Sequence, residues 1–138
     1  MSAKNLLLTL LLPLLGACDN ELKFQKDFEF EIEMLPIPRT VMLGVPVEMR
    51  FELSTIGGSY DSTRYFVRYF QYDGKGRLED ENGTMFFPND SYLVPNKKFR
   101  LYFTPTSGDN HSLELVFYDS FKHQQVVELA FAIEQAEL

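Results

Sequence analysis

The 138-residue sequence has one cysteine, no tryptophan and only two histidines, His111 and His123. With a single thiol no internal disulfide can form, so stability has to come from packing. Two histidines and one cysteine leave no set of ligands at zinc spacing, and no metal or cofactor is expected. Basic residues are also scarce, 13 Lys and Arg against 20 Asp and Glu, a net charge of -7. A chain so charged repels the phosphate backbone, so nucleic acid is not an expected partner. The apolar run at residues 6–15 is the longest, and it is too short to span a bilayer as a helix. There is no Gly-x-Ser-x-Gly elbow and no glycine-rich loop ending in Lys-Ser or Lys-Thr. Neither histidine has a nucleophile and an orienting acid at a recognisable spacing, and both are expected to be solvated. An enzyme is therefore not expected.

The N-terminus carries the clearest signal. Lys4 precedes the leucine-rich run, which ends in Leu15-Gly16-Ala17-Cys18. A basic start, a short apolar core and small residues at the exit read as a secretory leader. With the cysteine placed at the cleavage point, the motif resembles the lipobox of bacterial lipoproteins. Residues 1–17 are expected to be removed and Cys18 to carry lipid, which also disposes of a reactive lone thiol. Loss of Lys4 would take the net charge to -8. The lipid would supply the membrane affinity that so acidic a surface lacks.

Residues 18–26 read as a tether, 27–134 as one domain and 135–138 as a tail. The domain is dominated by alternation of period two, the mark of strands with one wet face. Phe28, Phe30, Ile32 and Met34 alternate with Glu29, Glu31 and Glu33 before Pro36 and Pro38 stop the pattern. Val45, Val47, Met49, Phe51 and Leu53 alternate with Glu48, Arg50 and Glu52. A third strand is expected over 63–72, short ones at 84–87 and 91–94, and longer ones around Phe99–Phe103, Leu113–Phe117 and 125–133. The expected core is Val47, Met49, Phe51, Leu101, Phe103, Leu115, Phe117, Leu129 and Phe131. With no amphipathic helix to cover them, one-sided strands bury their faces against each other. An all-β, antiparallel, immunoglobulin-like sandwich of about seven to eight strands is expected, with a small closed barrel as the alternative.

Asp73-Gly74-Lys75-Gly76 and Asn82-Gly83 mark turns. The acids between 73 and 83 do not form a calcium loop, because Lys75 and Arg77 stand where oxygen ligands would be needed. A solvated hairpin is expected there. Asn82-Gly83-Thr84 matches a glycosylation acceptor but carries no weight in a bacterial lipoprotein.

The third strand is aromatic on both faces. Tyr65, Val67, Tyr69 and Gln71 share one, and Arg64, Phe66, Arg68, Phe70 and Tyr72 the other. An unpaired buried guanidinium is costly, so the arginines mark the second face as wet. Rings between cations on an exposed face are hot-spot chemistry, and Arg64, Phe66, Arg68, Phe70 and Tyr72 are the candidate interaction residues. Tyr102 and Tyr118 would join them if their strands share the sheet.

The stretches RYFVRYFQYDGKG at 64–76, NGT at 82–84, PNDSYL at 88–93, FRLYFT at 99–104 and FYDSF at 117–121 occur in this order. In these and in its leader, the chain resembles the TraQ-like conjugal transfer proteins of Bacteroides-type conjugative transposons. The resemblance implies a non-enzymatic envelope lipoprotein, an accessory of a transfer apparatus related to type IV secretion. It implies partners among the other proteins of that apparatus and brings no active site with it. The alternative is a periplasmic or surface lipoprotein that binds a carbohydrate or peptide through an aromatic patch. Inner and outer membrane, and the oligomeric state, stay open.

Overall fold

Val47, Met49, Phe51 and Leu53 occupy every second position of one strand, and all four are buried while Glu48, Arg50 and Glu52 are exposed. The same alternation builds the rest of the domain in the computed structural model, which describes residues 28–58 and 62–134. Ten strands are present among these residues: β1 (Phe30–Met34), β2 (Thr40–Met42), β3 (Val47–Thr55), β4 (Tyr65–Asp73), β5 (Gly76–Asp80), β6 (Met85–Phe86), β7 (Ser91–Leu93), β8 (Lys98–Pro105), β9 (His111–Asp119) and β10 (Gln124–Glu134). They form two five-stranded sheets, the first ordered β1-β3-β8-β5-β6 and the second β2-β10-β9-β4-β7. The leader 1–17, Cys18, the tether 18–26 and the tail 135–138 lie outside the described residues.

The two sheets face each other across an aromatic core. Phe51 of β3 packs on Phe117 of β9 with ring centroids 5.5 Å apart. Phe103 of β8 stacks on Phe131 of β10 at 5.7 Å. All nine expected core residues are buried. Val45 is not: it is half exposed in the turn before β3. One flank of the sandwich is closed by the Phe86 and Tyr92 rings, stacked 4.0 Å apart, which join the edge strands β6 and β7 of opposite sheets.

The expected sandwich is present, but with ten strands rather than seven or eight and not wholly antiparallel. β2 runs parallel to β10, with Thr40, Val41 and Met42 beside Ala132, Ile133 and Glu134. Proline cannot donate to a ladder, so Pro36 and Pro38 end β1 on the first sheet. The chain then crosses to the second. The turn at 73–76 is likewise not a hairpin. It carries the chain from β4 in the second sheet to β5 in the first.

His111 is buried, against the expectation that both histidines are solvated. Its ring lies edge-on to Phe103, centroids 5.4 Å apart. Its Nε2 is 3.1 Å from the Ser107 carbonyl oxygen. That oxygen can only accept, so Nε2 carries the proton and Nδ1 accepts from Gln71 Nε2 at 3.3 Å. Gln71 Nε2 also donates to the Asp73 carbonyl, and its Oε1 accepts from the Tyr69 hydroxyl. A buried polar group is costly unless bonded, and this chain of bonds leaves none of the three side chains, Tyr69, Gln71 and His111, unsatisfied.

Candidate interaction surface

The two outer faces of the sandwich differ in chemistry. On the first sheet the outward positions of β3 and β8 are charged, and Glu48 accepts from Arg50 Nε at 3.2 Å and pairs with Arg100 Nη1 at 3.3 Å. Exposed pairs of this kind add little stability, but they keep the face solvated. Tyr102 lies on this face, apart from the third-strand residues.

The outward face of the second sheet is apolar by comparison. β4, β9 and β10 lie side by side, so Phe66 stands opposite Tyr118, Arg68 opposite Val116 and Phe70 opposite Glu114. Across β10 the outward row continues with Val126 beside Val116 and Glu128 beside Glu114. At the other edge, Leu93 of β7 stands beside Phe66. Tyr72 is 61% exposed, Val126 51% and Leu93 49%.

Phe66, Arg68, Phe70 and Tyr72 are thus on one outward face, with exposed Arg64 just before the strand, and Tyr65, Val67 and Tyr69 face inward. Arg64, Arg68 and Tyr72 are exposed, while Phe66 and Phe70 are half-buried. Phe66 stacks on Tyr118 with centroids 5.4 Å apart, and Phe70 lies parallel to Tyr72 at 6.3 Å. Most aromatic side chains of the domain are core, so the expected patch is smaller than the residue types suggest. Its exposed apolar area comes as much from Val126 and Leu93 as from the rings. Sequence reasoning missed those two. Val126 shares its phase with exposed Glu128 and was legible; Leu93 sits in a three-residue strand with no usable period.

Arg68 is held in place. Its Nε donates to Ser91 Oγ at 3.3 Å and its guanidinium carbon lies 5.7 Å from the Tyr118 ring centroid. Tyr118 donates its hydroxyl to the same Ser91 oxygen at 2.6 Å. Neither Arg64 nor Arg68 makes an ion pair among the described residues, so both charges face solvent. Tyr72 is acidic-flanked: desolvation, the neighbouring Glu114 charge, a hydrogen bond to Glu114 and the charge of Glu128 all push its phenol up.

No catalytic arrangement accompanies this face. His123 Nδ1 is 2.8 Å from Asp119 Oδ2, which looks like two-thirds of a triad. The other oxygen of Asp119 accepts from the amides of Phe121 and His123, both at 2.9 Å, and so closes the β9–β10 turn. Asp80 does the same for the β5–β6 turn, accepting from Asn82 and Thr84. Both amides bond Oδ1 of Asp80, so one oxygen of that carboxylate is taken up by backbone. Among the described residues no three His, Cys, Asp or Glu side chains group closely enough to hold a metal. No helix among them is long and apolar enough to cross a membrane.

Residues 2–134 match the family model described as TraQ conjugal transfer protein. A search of curated proteins found no match. Three solved structures are similar over most of the chain. A conjugative transposon lipoprotein from Bacteroides eggerthii is 40% identical, with a TM-score of 0.70 over 76% of this chain and 98% of that one. A lipoprotein from Bacteroides thetaiotaomicron is 36% identical, with a TM-score of 0.71 over 84% and 88%. A conjugate transposon protein from Bacteroides vulgatus is 37% identical, with a TM-score of 0.67 over 81% and 90%.

Proposed function

This chain belongs to the TraQ conjugal transfer protein family, and from that we propose that it is a non-enzymatic envelope lipoprotein that serves a conjugative transfer apparatus by contact. Cys18 is the proposed lipid attachment point, in keeping with relatives named as lipoproteins. The other components of the transfer apparatus are the proposed partners, met through the outward face of the second sheet.

One observation carries this reading: the asymmetry between the two outer faces. A sheet face kept from binding is covered with charges, as the first one is. The second sheet instead offers Leu93, Phe66, Val116, Val126 and Tyr72 beside the guanidiniums of Arg64 and Arg68, neither of which is in an ion pair among the described residues. Burying half-exposed rings costs little conformational entropy, and the arginines can reach carboxylates on a partner. Binding of a carbohydrate is less well supported, because Phe66 and Phe70 are half-buried and each already has another ring on one side. Replacing Phe66 and Phe70 together by alanine tests the reading. Complexes with other transfer proteins should be lost while the domain stays folded.

A further inference from the structure

The first sheet ends in β1, and among the described residues no strand pairs with that edge. The Ile56 amide donates to the Glu29 carbonyl and the Leu35 amide to the Arg50 carbonyl. Odd-numbered residues of β1 therefore point their backbone groups at β3, and Phe30, Ile32 and Met34 point theirs away. The Phe30 carbonyl accepts from Gln125 Nε2 at 3.2 Å. Among the described residues nothing bonds to the amides or carbonyls of Ile32 and Met34. The other edges are blunted by brevity: β6 has two residues, β2 and β7 three each, and β1 has five. An unpaired run of backbone groups is a template for another strand.

The side chains of β1 state what kind of strand fits. Glu31 and Glu33 point outward, and Glu33 stands directly opposite Glu52 of β3. None of the three is in an ion pair among the described residues. Like charges directly opposite destabilise a sheet, and opposite charges in the next strand would relieve them. A second copy is a poor occupant, because its own β1 would lay glutamate against glutamate. We propose that the β1 edge accepts an extended segment of a partner protein by strand addition, and that this segment carries lysine or arginine at alternate positions. Main-chain bonds to Ile32 and Met34 hold it, and cations beside Glu31 and Glu33 set its register. Small or apolar residues at the other positions lie beside the half-buried Ile32 and Met34. This surface is distinct from the face of the second sheet and does not depend on it.

The test uses the full chain in detergent and a short synthetic peptide of alternating lysine and valine capped with threonine. In the free protein the Ile32 and Met34 amides should exchange with solvent fast and those of Glu31 and Glu33 slowly. The peptide should slow Ile32 and Met34, and the same peptide with glutamate for lysine should not. Ile32→Pro removes an amide that β3 does not use, so β1 should stay paired while peptide binding is lost. Glu31→Lys with Glu33→Lys should weaken the lysine peptide about tenfold and let the glutamate peptide bind instead. This arm holds even if the proline variant fails to fold. Ile32 and Met34 amides already protected in the free protein would mean that the tether or a second copy covers the edge, and would overturn the proposal. So would a lysine peptide that fails to bind, or one that binds the charge-swapped protein as well as the original.

Discussion

A β-carbon on residue 74 would stand 2.5 Å from Nδ1 of His111, so Gly74 and the buried imidazole are fitted to each other. Gly74 also has φ +78°, a conformation that costs an L-residue roughly 1–2 kcal/mol. The glycine lets the chain leave β4 and cross to the other sheet directly over the ring. That ring is pinned between Gln71 and the Ser107 carbonyl and cannot swing aside cheaply. Gly74→Ala should lose about 2 kcal/mol or more of stability in denaturant melts. Gly83→Ala, with φ +81° but open space around it, should lose less. Equal losses would mean that the imidazole moves freely.

Tyr69 gives the fold a limit at high pH. Burial pushes its phenol up to about 12 from an ordinary value near 10. The folded state thus holds its proton where the unfolded chain has released it. Its contribution is complete below pH 10 and is lost as the pH rises from about 10 towards 12. Tyr65 is raised too, by desolvation and then by the Asp119 charge, and adds in the same sense. Melting temperature should fall across that window, and tyrosinate absorbance of the folded protein should show a late-titrating fraction. In Tyr69→Phe the high-pH loss should be shallower, though the variant starts less stable for want of its bond to Gln71.

Much of this fold can be read from alternation alone. Strands β3, β8, β9 and β10 are eight to eleven residues long, and their inward residues fall at every second position. Period two over that length has one reading, and the core follows from it. The turn signals around them place the short strands β6 and β7, but β2 has three residues and β5 a single apolar one, Leu78, too few to show any period. Both are fixed by partners far away in sequence: β2 by β10 and β5 by β8. That is why the strand count and the parallel pair escaped. The burial of His111 escaped for a related reason, since its partners Gln71 and Gly74 come from another strand end. The third strand was legible only through its arginines. Both of its faces carry rings, and Arg64 and Arg68 alone tell outside from inside.

The lipid anchor makes a separate prediction. Leu15-Gly16-Ala17 before the only thiol points to Cys18 as the modified N-terminus. Cells fed a clickable palmitate analogue should label the wild-type protein and not Cys18→Ala, which should also fail to partition into detergent with the membrane fraction. Equal labelling of both proteins would refute the assignment.

The most direct test of function by contact is mating frequency in a strain whose only copy carries Phe66→Ala with Phe70→Ala. Removing one hot-spot ring costs about 2 kcal/mol or more of binding, roughly thirtyfold in affinity. Both rings are half-buried, so a second strain carries Arg64→Glu with Arg68→Glu, exposed changes that touch no core residue, though Arg68 gives up its bond to Ser91 and its place over Tyr118. A third, Arg50→Glu on the charged face of the first sheet, is the control. Each protein is checked for membrane localisation and a cooperative melt, and other transfer proteins are sought in its pull-down. The account predicts that transfer and complex formation collapse in the first two strains and stay near wild type in the third. Wild-type transfer from folded, localised protein in both of the first two strains would contradict it.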